Sequence, residues 1–361
     1  MIATPESYFS VDFSAATARF RVACRAAGAA ATSLPHPLPG PGGEALATDV
    51  ARLGPAGASR LLVLLSGVHG PELLCGSACQ AGLLESGALA GLPADTAVLL
   101  VHAINPWGTA HGRRVTEDNI DLCRNFMDFD APLPGNDGYE DIHRAFAPGG
   151  EVSNGQEAMG VLLDYQRQRG LPALMAALMA GQYVHADGFS YGGREATWSN
   201  HTLTQLLQEH GAGAKHVLAL DFHSGLGPYG YGTAVAMHTG AALERVRRHF
   251  GGWVEAPRQA AAESPGEFYG VEGHCADGFV RALPQAEVEL VTIEFGTYPV
   301  PRNLQALIDD HWLHIGGVAD DPQQLAQEML ATHYPDDPEW RYAVWTRATQ
   351  ALRQALACLR E

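Results

Sequence analysis

The sequence predicts an α/β fold, a three-layer α/β/α sandwich in which helices cover both faces of a mostly parallel sheet. Two observations predict it. Four short apolar runs, 61–65, 97–101, 216–220 and 288–293, are each bounded by polar or glycine-rich turns, as buried strands are. Helical or irregular sequence separates each run from the next, and strands that alternate with helices build parallel sheets covered on both sides. The 361 residues suffice for one large α/β domain, read here as spanning 1–361. A hydrophobic fraction of 46% with 17% charged residues provides a sizeable core and excludes a disordered chain.

Helical patterns follow Pro71 over 72–86, occupy 199–210, and close the chain over 338–360. Between 127 and 191 the character changes. Pro132, Pro134, Gly135 and Gly138 open this stretch, Gly149, Gly150 and Gly155 recur, and an apolar helix is expected near 158–180. It reads as an insertion beside the sheet. A second loop-rich stretch, 256–282, carries Pro265, Gly266, Gly270, Gly273 and Gly278. Loops of that length in a compact fold are usually lids or binding loops.

Net charge is −17 and the single lysine is Lys215, so the basic stripe that a nucleic-acid partner requires is missing. The same balance disfavours anionic membrane surfaces. No basic, apolar leader opens the chain, and no run approaches the ~18 apolar residues of a membrane span. The six cysteines (24, 75, 79, 123, 275, 358) form no C-x-x-C pair, which fits a reduced cytoplasm. The expected partner is a small-molecule or peptide substrate, with no nucleic acid and no membrane.

Chemistry concentrates where strands end. The run 61–65 leads into Ser66-Gly67-Val68-His69-Gly70-Pro71-Glu72, a glycine-rich turn that opens a helix. Sites in open α/β sheets lie outside the carboxyl ends of strands. His-x-x-Glu there can bring an imidazole and a carboxylate to one point, and catalytic zinc needs three protein ligands. The run 216–220 leads into Asp221-Phe222-His223-Ser224-Gly225, which offers His223 as the third. His102, also at a strand end, is its best competitor among sixteen histidines. His311 and His314 form an H-x-x-H pair on a helix without a strand end and read as structural. Glu294 ends the fourth run, and a carboxylate there is expensive to bury unless it is paired or used.

In order along the chain stand H-G-P-E at 69–72, N-P-W-G at 105–108, R-R at 113–114, D-L-C-R-N-F at 121–126, D-F-H-S at 221–224 and I-E-F-G-T at 293–297. This series resembles the zinc carboxypeptidase (carboxypeptidase A-like) superfamily, which includes aspartoacylase and succinylglutamate desuccinylase. It is more similar still to an uncharacterised bacterial branch of it. The resemblance implies a mostly parallel, mixed central sheet. It also implies one Zn2+ per chain held by His69, Glu72 and His223. Asp121 would orient His69 from behind the metal. Arg113 or Arg114 would stabilise the oxyanion, and the sequence leaves open which of the two faces in. Arg124, with Asn125 beside it, would bind a substrate carboxylate, and Glu294 would be the general base.

Cys123 departs from the pattern, standing where a carboxylate-binding asparagine is usual. Tyr269, in the second glycine-rich stretch, is the candidate for the tyrosine proton donor. The 181–200 loop is expected to line the pocket with Tyr191, Arg194 and Trp198. Gly188-Phe189-Ser190-Tyr191-Gly192 matches the G-x-S-x-G elbow of serine hydrolases, but a poor strand precedes it and no helix follows at once. The expectation is therefore a zinc-dependent hydrolase cleaving an amide bond, carboxypeptidase-like and acting on a small peptide with a free carboxylate. An N-acyl amino acid deacylase is the alternative. A non-catalytic zinc-binding domain is a third possibility, disfavoured by Glu294 and the arginines.

Overall fold

The computed structural model describes residues 4–150, 152–264, 268–316 and 321–360. Pro265 and Gly266 of the second loop-rich stretch lie outside them. An eight-stranded sheet organises the chain, comprising β1 (Thr32–Pro35), β2 (Ala47–Leu53), β3 (Arg60–Ser66), β4 (Thr96–His102), β5 (His216–Tyr229), β6 (Thr233–Val235), β7 (Val254–Glu255) and β8 (Glu287–Gly296). Their order is β1-β2-β4-β3-β5-β8-β6-β7. The four strands expected from the sequence, β4, β3, β5 and β8, are its parallel centre. Antiparallel β2 and β6 flank that centre, so the sheet is mixed.

Strand alternation sorts the core into two faces. Leu62 and Leu64 of β3 join Leu218 and Leu220 of β5 under helices Phe13–Ala26, Leu73–Glu85, Gly240–Phe250 and Pro338–Cys358. Leu61, Val63 and Leu65 join Val217 and Ala219 on the opposite face, under helices Trp198–Gly211 and Cys275–Ala282. These are the three layers of an α/β/α sandwich.

The stretch 127–191 packs a third, smaller cluster beside the sheet. Tyr139, Phe146, Leu162, Leu174 and Leu178 meet Ile308 and Trp312 of helix Val300–Ile315 there. The single helix expected near 158–180 is two, Gly155–Arg169 and Leu171–Met179. Gly170 separates them at φ 89°, outside the helical region, and Pro172 starts the next.

Register places the chemistry. β3 and β5 pair Ser66 with Phe222, and β5 and β8 pair His223 with Glu294. The turn after β3 and the ends of β5 and β8 therefore converge at one edge. At the turn, a Cβ on Gly70 would overlap the backbone of Gly108 and Arg113, so only glycine lets the H-G-P-E segment sit there. Asn105 of N-P-W-G fastens the neighbouring turn, accepting from the Gly108 amide (2.9 Å) and donating to Val115 O (3.1 Å). No helix among the described residues is long and apolar enough to cross a membrane.

Candidate metal centre

Glu72 sits between two imidazoles. Its Oε1 lies 2.9 Å from His69 Nδ1 and its Oε2 lies 3.0 Å from His223 Nδ1. The Ser224 amide donates to Oε2 at 3.1 Å. All three side chains are buried. The far nitrogen of each ring meets its own carboxylate, His69 Nε2 facing Asp121 Oδ1 at 3.2 Å and His223 Nε2 facing Asp221 Oδ2 at 2.8 Å. Both rings thus turn Nδ1 inward and are held from behind, as in carboxylate–histidine–metal arrangements.

The electrostatics agree with a cation site. Burial and the Arg114 charge press the His69 imidazole down, yet Glu72 and the Asp121 hydrogen bond outweigh them and lift it to about 10. His223 is also raised well above its usual value, against burial, by Asp221 and Glu72. Against the pull of burial, the two rings hold the Glu72 carboxyl well below its usual range. Without metal, positive charge is favoured between these groups. Two imidazoles and a carboxylate that converge in this way fit zinc.

Glu294 is half-buried beside the triad and accepts from the Leu226 amide on Oε1 at 3.1 Å. Burial, with help from the Glu72 charge, raises its carboxyl to about 7. Arg114 faces in. Its Nη1 lies 3.0 Å from His69 Nδ1 and its Nη2 lies 3.2 Å from Asp121 Oδ2. Arg113 points the other way, pairing with Asp310 at 3.5 Å, which corrects its inclusion as a catalytic candidate. Adjacent residues leave a turn in different directions, so only one of the two can reach the triad.

Two lobes open from this centre. One is walled by Met175, Leu178, Met179, Val300, Leu304 and Leu307, with Glu294 and His333 at its base. The other holds Arg124, Met237, Tyr269, Val271, His274 and Thr292. Tyr269, the candidate proton donor, lines this second lobe. Arg124 is there too, but Nε and Nη2 donate to Met179 O (3.0 and 2.5 Å) and Nη1 to Cys123 O (2.8 Å), so each nitrogen of its fork already holds backbone with one hydrogen. Cys123 turns its thiol to Cys275, with 4.0 Å between the sulfurs.

Other expectations are corrected. Asn125 has no free amide for a substrate. Its Nδ2 donates to Gly192 O and Glu195 O, both at 2.9 Å, and its Oδ1 accepts from the Thr197 amide. Tyr191 serves the site through its backbone, accepting from the Asp121 amide at 2.7 Å. Arg194 is exposed and donates to Tyr183 O, and Trp198 packs edge-on against His36. The 181–200 loop therefore braces the Asp121 segment, and neither lobe is lined by it. His102 stacks on Phe20 and bonds Ser77 Oγ at 2.9 Å, away from the triad. Ser190 has a left-handed φ of 52°, but the small cavity it lines with Arg113, Arg114, Asp121 and His311 includes none of His69, Glu72, His223 and Glu294, and the next helix starts only at Trp198.

Sequence reasoning missed two residues. Asp221 had a signal: D-x-H on a strand puts both side chains on one face. His333 had none. It ends helix Pro322–His333 and contacts Met329 O through Nδ1 at 2.8 Å, which leaves Nε2 as an acceptor. Nε2 and Glu294 Oε1 flank the same point above Gly225, 3.5 and 3.8 Å from where a Cβ would stand.

Residues 9–347 match the model of the family described as protein of unknown function (DUF2817). The chain belongs to this family. No curated protein matches it. Among solved structures, a carboxypeptidase A from Helicoverpa armigera aligns over 97% of this chain and 77% of its own at 13% identity, with a TM-score of 0.43. An aspartoacylase family protein from Mesorhizobium loti aligns over 81% and 68% at 15% identity and TM-score 0.36. The succinylglutamate desuccinylase from Chromobacterium violaceum aligns over 85% and 74% at 15% identity and TM-score 0.35.

Proposed function

We propose that this DUF2817 protein is a zinc-dependent hydrolase that cleaves an amide bond in a small substrate whose amine half carries a free carboxylate. The observation that supports it is the convergence of His69 Nδ1 and His223 Nδ1 on the two oxygens of Glu72, with Glu294 at the adjoining strand end. His69, Glu72 and His223 would hold the metal. When bound, it would supply Lewis acidity, polarising the carbonyl and lowering the pKa of water.

The chain's own groups do the rest. Glu294 has one oxygen fixed by the Leu226 amide, which leaves the other to take a proton from the attacking water. Its carboxyl, raised to about 7, suits proton transfer near neutrality and can return that proton to the leaving nitrogen. Arg114 is placed to donate to the carbonyl oxygen as it gains charge. The remaining Arg124 donors, with Tyr269 and His274, would receive the carboxylate-bearing amine half.

A carboxypeptidase-like exopeptidase is the first reading. N-acyl amino acid deacylation is the second, favoured by Cys123 at the usual asparagine position and by the backbone contacts of Arg124. The deciding measurement is metal content alongside hydrolysis of dipeptides and N-acyl amino acids. Wild type should carry about one zinc and turn over, and His69→Ala should lose both. Glu294→Gln should keep the metal and lose turnover by at least ~100-fold. A wild type that takes up no zinc when supplied, or a Glu294→Gln variant within a few-fold of it in rate, would sink the reading.

A further inference from the structure

We infer that the lobe walled by helices Leu171–Met179 and Val300–Ile315 is an acyl-side subsite for an uncharged, apolar group. Its orientation rests on the amide-hydrolase reading above, since Arg124 in the opposite lobe marks the amine half. The wall is built by helical spacing. Met175, Leu178 and Met179 stand at i, i+3 and i+4, and Val300, Leu304 and Leu307 at i, i+4 and i+7. Leu174, Ala177 and Ile308 belong to the small third cluster, which also takes in the fully buried Leu178 and is packed by Met179, Leu304 and Leu307. Met175, Leu304 and Leu307 are half-buried and Val300 is 46% exposed, so one apolar face of each helix borders open space at the centre. An apolar guest would take that surface out of water.

The polar groups at the base point the same way, because their donors are taken. Asn303 Nδ2 donates to Gly225 O (2.6 Å) and Thr297 Oγ1 (3.2 Å). His333 uses its ring hydrogen on Met329 O. Arg114, the one arginine lining this lobe, is paired with Glu72 and Asp121, and what donor capacity it keeps is assigned to the carbonyl oxygen, so none is left for a second anion. A carboxylate carried into the lobe on the acyl group would lose its water without gaining a donor. Acidic acyl groups such as succinyl are therefore excluded, and aliphatic or aromatic ones are accepted.

The test is calorimetric and needs no turnover. Zinc-loaded Glu294→Gln protein is titrated with N-acyl alanines from acetyl to octanoyl, with N-succinyl alanine, and with Gly-Ala, Leu-Ala and Phe-Ala. Affinity should rise about fourfold per methylene until the lobe is full, the equivalent of ~0.8 kcal/mol each. The succinyl compound should bind more weakly than butyryl. Val300→Trp, at the exposed rim, and Leu304→Trp should flatten the series. A rise confined to Leu-Ala and Phe-Ala would keep the subsite and name its guest as a peptide side chain. A flat series throughout, an unchanged slope in both tryptophan variants, or succinyl binding as well as hexanoyl would overturn the inference. Wild-type hydrolysis is scored separately: a rising series without turnover sinks the hydrolase reading alone, and turnover with a flat series sinks the subsite alone.

Discussion

Asp221 gives the sharpest test of the proposed metal centre, because it touches no proposed ligand atom that would face the metal. It is wholly buried, and its Oδ2 lies 2.8 Å from His223 Nε2, while Oδ1 has no hydrogen-bond partner. It holds the ring so that Nδ1 faces Glu72, and its charge makes the imidazole a better donor. Asp221→Asn keeps an acceptor for Nε2–H and removes the charge. Loss of such an outer carboxylate lowers metal affinity by about 10- to 100-fold, or roughly 1.4 to 2.7 kcal/mol. Asp121→Asn should cost less in affinity. Its contact with His69 is longer, at 3.2 Å, and Asp121 also serves Arg114 and the Cys123 amide. Chelator competition at fixed pH gives the zinc dissociation constants, and circular dichroism checks the fold. An Asp221→Asn protein that is folded and binds zinc within twofold of wild type would refute the orienting role.

If the proposed centre takes zinc, the raised imidazoles should make its uptake pH-dependent. A free imidazole is nearly deprotonated at pH 8, but His69 at about 10 and His223 well above its usual value still carry protons that zinc must displace. Calorimetry at pH 8 in buffers of different ionisation heat should show release of at least about one proton per zinc, and affinity rising with pH; no release would contradict the charge assignment. Arg124→Ala should destabilise the protein by ~2–3 kcal/mol, because it strips donors from the Met179 and Cys123 carbonyls, whereas Arg194→Ala should stay within ~0.5 kcal/mol; urea melts of the two decide it. Ser190→Ala should leave turnover within about twofold and metal content unchanged, and a complete loss of turnover with zinc retained would restore the serine reading.

Much of the fold was legible because the parallel centre is buried on both faces. β3, β4, β5 and β8 read as continuous apolar runs. The flanking strands were not legible. β2 buries Thr48 and Asp49, the latter against Arg21, so no apolar run marks it. β6 and β7 have only three and two residues.

The site divides in the same way, and the division has a physical cause. His69, Glu72, His223 and Glu294 lie at or directly beyond parallel strand ends, where register fixes the direction of a side chain within a residue or two. Chain order is then enough to bring them together. Residues on turns and loops carry no such constraint, and what they do depends on which backbone groups they find. Asn125 finds Gly192 and Glu195, and Arg124 finds Met179. Arg113 finds Asp310, 197 positions away in the chain. Each looked like a substrate group because its side chain could bind one, yet the Asn125 amide and the Arg113 guanidinium were claimed by carbonyls or a carboxylate that no local pattern reveals, and Arg124 keeps only part of its donors. The converse holds for His333, which acquires a place at the site only because helix Pro322–His333 ends over Gly225. Substrate preference in this chain should therefore follow the helices that wall the lobes, while the reaction itself follows the strand ends. Substitutions at Val300 or Leu304 should change which amide binds and leave zinc uptake untouched.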